Sequence, residues 1–195
     1  MRNIFCLLLL SLLINISCEK NHDDENPENT RKDFIIAGKT GDDVLYTDIN
    51  PDWDKYAYGL SPDSINVDVN QDHVADISIR YSTSSSTSGY TVQTSVSAYN
   101  GAYFSPEPIN LNDEINSLSG WINTTSLLAF TKIDFASSDT SVSGAWISKQ
   151  DKYLGVQVTE HGRKTYGWIR ISIFIHPETI YIQQVVVKDF ACQKD

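Results

Sequence analysis

From Asp33 onward the apolar residues of this chain recur at every second position, and that period limits the chain to strands. Ile65, Val67 and Val69 alternate with polar neighbours, as do Ile77, Ile79 and Tyr81. Tyr90, Val92, Thr94, Val96 and Ala98 continue the pattern, and Val156 and Val158 repeat it. Ile169, Ile171, Ile173 and Ile175 form one face of the clearest strand, and Ile180-Tyr181-Ile182 with Val185-Val186-Val187 mark another. Neighbouring side chains on a strand point to opposite faces, so alternation rich in β-branched and aromatic residues predicts half-buried strands. A helical turn is expected only over Asn112–Leu118, with Asn112 as its cap. The Ser/Thr stretches Ser82–Ser88 and Ser137–Ser143 read as hairpin or surface loops. About ten to twelve strands, with no repeat at propeller or solenoid spacing, predict an all-β chain folded as a single β-sandwich, a jelly roll being one form of it. The domain is expected over residues 33–195.

Apolar residues make up 41% of the 195, which is enough for a core and excludes global disorder. With 25 acidic against 15 basic residues the formal charge is −10, which argues against nucleic acid or an anionic membrane surface as the main partner. Residues 19–80 carry 15 acidic and 6 basic side chains, so a bound cation is best sought in that half.

The first residues read as an address. Arg2 supplies a positive charge before the short apolar run Ile4–Ile14, which falls short of the roughly 20 apolar residues a membrane-spanning helix needs. The run ends in Asn15-Ile16-Ser17-Cys18. This resembles the lipobox of bacterial lipoproteins, with Asn15 where leucine is usual. The resemblance implies a signal peptide over residues 1–17 and lipidation of Cys18 as the first mature residue. Residues 18–32 then form an acidic, solvated tether without core-forming residues. Its Asp23-Asp24-Glu25 is similar to the export signals of Bacteroidetes lipoproteins, which implies anchoring in the outer membrane facing the cell exterior. The membrane would thus be a partner through the lipid on Cys18 alone. Cys192 would be the other mature cysteine, which leaves no intramolecular disulfide and reads as a small apolar core residue.

One segment carries a mechanism. Asp68-Val69-Asn70-Gln71-Asp72-His73-Val74-Ala75-Asp76 places oxygen side chains at alternate positions, and calcium takes six to eight such hard ligands in a flexible shell. Asp68, Asn70, Asp72 and Asp76, with the backbone carbonyl of Val74, are the expected metal ligands. The start matches an EF-hand loop, but Ile79 stands where that loop needs a bidentate Glu, and the flanks read as strands. A strand–loop–strand setting resembles the calcium hairpins of integrin-type propeller blades. His73 stands where glycine is usual, because the backbone there tends toward positive φ. The other reading is a polar turn that keeps its acids in water. A structural calcium ion is expected over a catalytic one, since no nucleophile with its base lies nearby.

The C-terminal half carries the landmarks Gly144-Ala145-Trp146, Tyr153-Leu154-Gly155-Val156, Gly162, Tyr166-Gly167-Trp168-Ile169-Arg170 and Val187-Lys188-Asp189-Phe190-Ala191. Together they resemble an uncharacterised all-β domain of secreted and surface bacterial proteins, with a YLG…YGWIR…VKDFA progression and an upstream Asp-rich segment. The resemblance covers roughly residues 60–192 and implies location and fold, not an activity. Trp146, Tyr166, Trp168 and Phe174 read as core aromatics; the alternative is that Trp53, Trp121, Trp146 or Trp168, with some of the ten tyrosines, forms a sugar-stacking platform. Arg170 alternates with isoleucines, so it points outward or pairs with a carboxylate.

No catalytic constellation is legible. His22, His73, His161 and His176 are scattered, and no nucleophile elbow, phosphate loop or dinucleotide fingerprint occurs. Catalytic residues are therefore not expected. The functional class is a lipid-anchored, extracellular binding or adhesion module with a calcium hairpin, a glycan being the leading ligand class. A protein-recognising scaffold or accessory subunit of a surface complex is the alternative. A carbohydrate hydrolase using two of Glu107, Glu114, Glu160 and Glu178 is the third.

Overall fold

The computed structural model describes residues 32–56, 62–160, 162–176 and 183–194, and among them twelve strands, all antiparallel, are ordered in three sheets. The signal peptide expected over residues 1–17, Cys18, the expected tether up to Arg31 and the Ile180-Tyr181-Ile182 run lie outside the described residues. One five-stranded sheet has the order β3 (Asp63–Val67), β4 (Ile77–Ser86), β5 (Gly89–Ala98), β8 (Ser126–Asp134) and β9 (Thr140–Ser143). The other has the order β2 (Val44–Tyr56), β12 (Gln183–Gln193), β11 (Arg163–Ile175), β10 (Lys152–Glu160) and β6 (Tyr103–Phe104). The fold is the expected β-sandwich. Successive hairpins, β3-β4-β5 and β10-β11-β12, build most of each sheet, so the winding is closer to two meanders than to a jelly roll.

The core lies between these sheets and is made by the residues whose alternation marked them. Val67, Ile77, Ile79, Val96 and Leu128 of one sheet pack against Leu154, Val156, Ile169, Ile171, Ile173, Val185 and Val187 of the other, all essentially without solvent exposure. Trp146 is buried among them and donates its indole N–H to the Pro106 carbonyl at 2.7 Å. Cys192 is a buried member of the same core.

The third sheet is a small one, β1 (Phe34–Ile36) with β7 (Glu114–Asn116). It corrects the helical turn expected over Asn112–Leu118. Ile115 pairs with Ile35 in the ladder and is fully buried, so its apolar side chain serves a strand rather than a helical face. Ile35, Ala37 and Ile115 form a second core with Tyr153, Tyr166, Trp168 and Ala191, on the outer face of the β2-β12-β11-β10-β6 sheet. That sheet is therefore buried on both faces at this end, and β10 and β11 are buried over most of their length. The serine runs also differ from expectation. Ser82–Ser86 extend β4, and Thr140–Ser143 make the exposed edge strand β9, since strands with one wet face accept small polar residues there.

Three of the C-terminal landmarks, Tyr153–Val156, Tyr166–Arg170 and Val187–Ala191, prove to be one piece of sheet. Tyr153 lies opposite Arg170, Gly155 opposite Trp168, and Trp168 opposite Ala191. A register shift on β12 leaves Lys188 without a partner between Val187 and Asp189. This bulge reverses the alternation: Val187 faces the core before it and Phe190 after it, so Asp189 turns outward to meet Arg170. The guanidinium reaches Asp189 through two bonds of 2.9 and 2.6 Å, and Tyr46 donates its hydroxyl to the same carboxylate at 3.0 Å. Burial, then the bond to Asp189 and that carboxylate's charge, push the Tyr46 phenol up to about 12. Tyr46→Phe should lower stability by no more than about 1 kcal/mol and remove one late phenolate step from an alkaline absorbance titration. If every phenolate step survives the substitution, the late-titrating group is not Tyr46.

At the N-terminal side the chain joins the domain beside its last strand. The Gln193 amide donates to the Lys32 and Phe34 carbonyls at 2.7 and 2.8 Å, and its oxygen accepts the Tyr166 N–H at 3.0 Å.

Candidate metal loop and adjoining groove

The segment Asp68–Asp76 links β3 to β4, and its carboxylates organise its backbone. Asp68 accepts the N–H groups of Asp72 at 3.1 Å and His73 at 2.7 Å through its two oxygens. The Asn70 side-chain oxygen accepts the Asp72 N–H at 3.3 Å, and its amide donates to Asp72 Oδ2 at 3.1 Å. Asp72 Oδ1 in turn accepts the Val74 N–H at 2.8 Å. The turn needs two left-handed residues, Gln71 at φ 62° and His73 at φ 72°, the second being the position read from the sequence.

Asp76 sits differently. It is 2% exposed, at the base of the loop, where Oδ2 accepts the Val69 N–H at 2.8 Å. Its backbone N–H reaches the Val67 carbonyl at 2.9 Å, and its carbonyl accepts the Tyr99 N–H at 2.8 Å. Burial pushes its carboxyl up to about 6; the charges of Asp72 and Asp68 add to that rise, and backbone N–H groups of Val69 and Asn70 oppose it.

The structure thus brings Asp68, Asn70 and Asp72 into one hydrogen-bonded ring, with Asp76 beneath it on the protein side. Val74 exposes its side chain, so its carbonyl is the part able to act as a ligand. Among the described residues no three His, Cys, Asp or Glu side chains form a ready metal group, so a cage would depend on Asn70 and the Val74 carbonyl as well. The donor set is all oxygen, which suits a hard cation such as calcium. A carboxylate oxygen has more than one lone pair, so accepting an N–H does not by itself prevent contact with a cation. Burial and two neighbouring carboxylates disfavour the charged form of Asp76, and a divalent ion there would offset that cost.

Beside the loop lies a groove of about 480 Å³, lined by Ile65, Asn66, Val67 and Asp68, by Gln71 and His73 of the loop, and by Thr47, Ile49 and Phe190 of the opposite sheet. It opens between the edge strands β2 and β3. Two bonds cross that opening: Gln71 Nε2 to Thr47 Oγ1 at 2.9 Å, and Lys55 Nζ to Asp63 Oδ2 at 3.1 Å. Thr47, Ile49 and Phe190 were not legible as groove residues, because only the pairing of the sheets sets β2 next to β3. The loop residues alternate in use. Asp68 and Asp72 bind the loop's own backbone, while the left-handed Gln71 and His73 between and after them line the groove.

Trp146 and Trp168 are buried, which removes them from any platform; Trp53 is half-buried against the sandwich core, and Trp121 stacks on Tyr166 at 5.7 Å with 23° between the planes. No helix among the described residues is long and apolar enough to cross a membrane. No protein-family model, curated protein or solved structure matches the chain.

Proposed function

We propose that this chain is a lipid-anchored, non-catalytic extracellular binding module, held to the outer membrane through Cys18 and facing the cell exterior. Calcium in the Asp68–Asp76 loop would be structural, held by Asp68, Asn70, Asp72, the Val74 carbonyl and Asp76. The observation that carries the reading is the groove between β2 and β3, one wall of which is the loop itself. Its volume and its apolar floor with a few polar groups are those of a small-ligand site. A metal that orders Asp68 and Asp72 also orders Gln71 and His73, so ligand and ion share a wall. A glycan is the ligand class proposed for it, by way of the hydroxyl-bonding groups of Asn66, Gln71 and His73.

Two measurements test this. Chelation should lower the melting temperature of the full chain by several degrees, and Asp72→Ala should abolish that response. Identical melts in calcium and in chelator would remove the ion from the account. A polysaccharide panel screened in calcium and in chelator should yield calcium-dependent binding to a few members. Silence across the panel would favour the protein-recognising reading.

A further inference from the structure

The outer face of the β2-β12-β11-β10-β6 sheet is unevenly covered. The β1–β7 sheet lies over Tyr166, Trp168 and Ala191, near where the chain joins the domain. Arg170, Asp189 and Tyr46 occupy the middle. At the far end no described strand lies over the face, and a sheet open to water there should carry polar side chains.

It carries aromatic ones instead. Phe174 on β11 lies opposite Gln184 on β12, and Gln184 lies opposite Tyr56 on β2, so the three stand in one row on the same face. Tyr56 is 49% exposed. The His176 ring fits between the two aromatics, 5.8 Å from Tyr56 and 6.4 Å from Phe174, tilted 31° to each. His176 Nε2 is 3.0 Å from Gln184 Oε1, and Gln184 Nε2 donates to both oxygens of Asp54, at 2.8 and 3.0 Å.

Toward the middle of the sheet Asp189 meets Arg170, and Asp151 meets Lys188. Asp54 meets only an amide, and among the described residues no lysine or arginine forms an ion pair with it. An exposed carboxylate that no described cation pairs, one side chain from the exposed Tyr56 ring, is complementary to a cation that can also stack. Guanidinium does both, since it is planar and always charged.

We propose that Asp54, Tyr56, Phe174 and Gln184 form a docking site for an arginine-bearing segment of a partner protein. Asp54 supplies the counter-charge and the exposed Tyr56 ring the stacking face. The site is separate from the loop and groove, and stands whether or not they bind calcium or glycan.

The test is calorimetric titration of the full chain, near physiological salt, with a nine-residue Arg–Gly repeat peptide and with the same peptide carrying citrulline for arginine. Binding should be measurable for the first and lost for the second. Asp54→Asn and Tyr56→Ala should each weaken it at least fivefold, while Tyr56→Phe retains it. Asp139→Asn removes one exposed acid elsewhere and should change nothing. Unaltered melting temperatures confirm that the exposed substitutions leave the fold intact. No binding, equal binding of the citrulline peptide, or equal weakening by Asp139→Asn would overturn the proposal. Binding of a neutral oligosaccharide that is lost in Tyr56→Ala, with no response to the arginine peptide, would overturn it in favour of a glycan.

Discussion

Gln183→Leu should destabilise the domain by about 3 kcal/mol, although leucine is apolar and nearly fills the space. Gln183 begins β12, is 1% exposed, and spans the gap between the two large sheets. Its oxygen accepts the Thr94 hydroxyl at 2.9 Å, and its amide donates to the Thr131 hydroxyl at 3.0 Å and the Val92 carbonyl at 3.3 Å. Thr94 and Thr131 are themselves buried on β5 and β8. Each bond contributes modestly against the same bond to water, but a buried hydroxyl stripped of its partner costs about 1–3 kcal/mol. Adding Thr94→Val and Thr131→Val to Gln183→Leu should therefore restore at least half of the loss, since the groups left unpaired are then gone. Denaturant unfolding of the single and triple variants measures both. A triple variant less stable than Gln183→Leu alone would mean that packing, not pairing, is what Gln183 supplies.

Alternation was enough to read the core of this domain but not what lies outside it. Ile169, Ile171 and Ile173 face inward as their spacing requires, because period two is a direct consequence of strand geometry. The residues between them were harder. Trp168 looks like a core residue and is one, yet it belongs to a second core that exists only because β1 and β7 fold over it. Nothing local to Phe34–Ile36 announces that contact, since three residues are too few to show a period. The Arg170–Asp189 pair was half legible: a charged residue among isoleucines must face outward or find a carboxylate. Which carboxylate it finds depends on a one-residue bulge at Lys188, and Val187-Lys188-Asp189 carries no glycine or proline to mark it. The loop is the converse case. Asp68, Asn70, Asp72 and the left-handed His73 could be read together because the turn is built from neighbouring residues. The burial of Asp76 could not, since it comes from the strands beneath.

Asp76 gives the second large effect, and its sign is opposite to that of a carboxylate in an ion pair. Its folded value of about 6 lies above its ordinary 3.8, so the native state holds a proton that the unfolded chain releases. Stability from this group is fully present below pH ~4 and is lost as pH rises through ~6, a total of about 3 kcal/mol. Asp63 and Asp134, held below the usual carboxylate range by hydrogen bonds, act in the reverse direction, but only at lower pH than this window. Chelated protein should thus be more stable at about pH 4.5 than at about pH 7.5, by about 2 kcal/mol. Asp76→Asn should flatten the curve, because an amide has no charge to bury. Calcium should act against this trend. An ion held by Asp68, Asp72 and Asp76 favours the charged carboxylate, so it should raise the stability most at neutral pH and lose its effect as protons displace it. Chelated protein that gains stability between pH ~4.5 and ~7.5 would mean that the loop accommodates three carboxylate charges unaided. In that outcome the charge relief that favours calcium here would be absent, and the loop would be an acidic turn that keeps its carboxylates in contact with water.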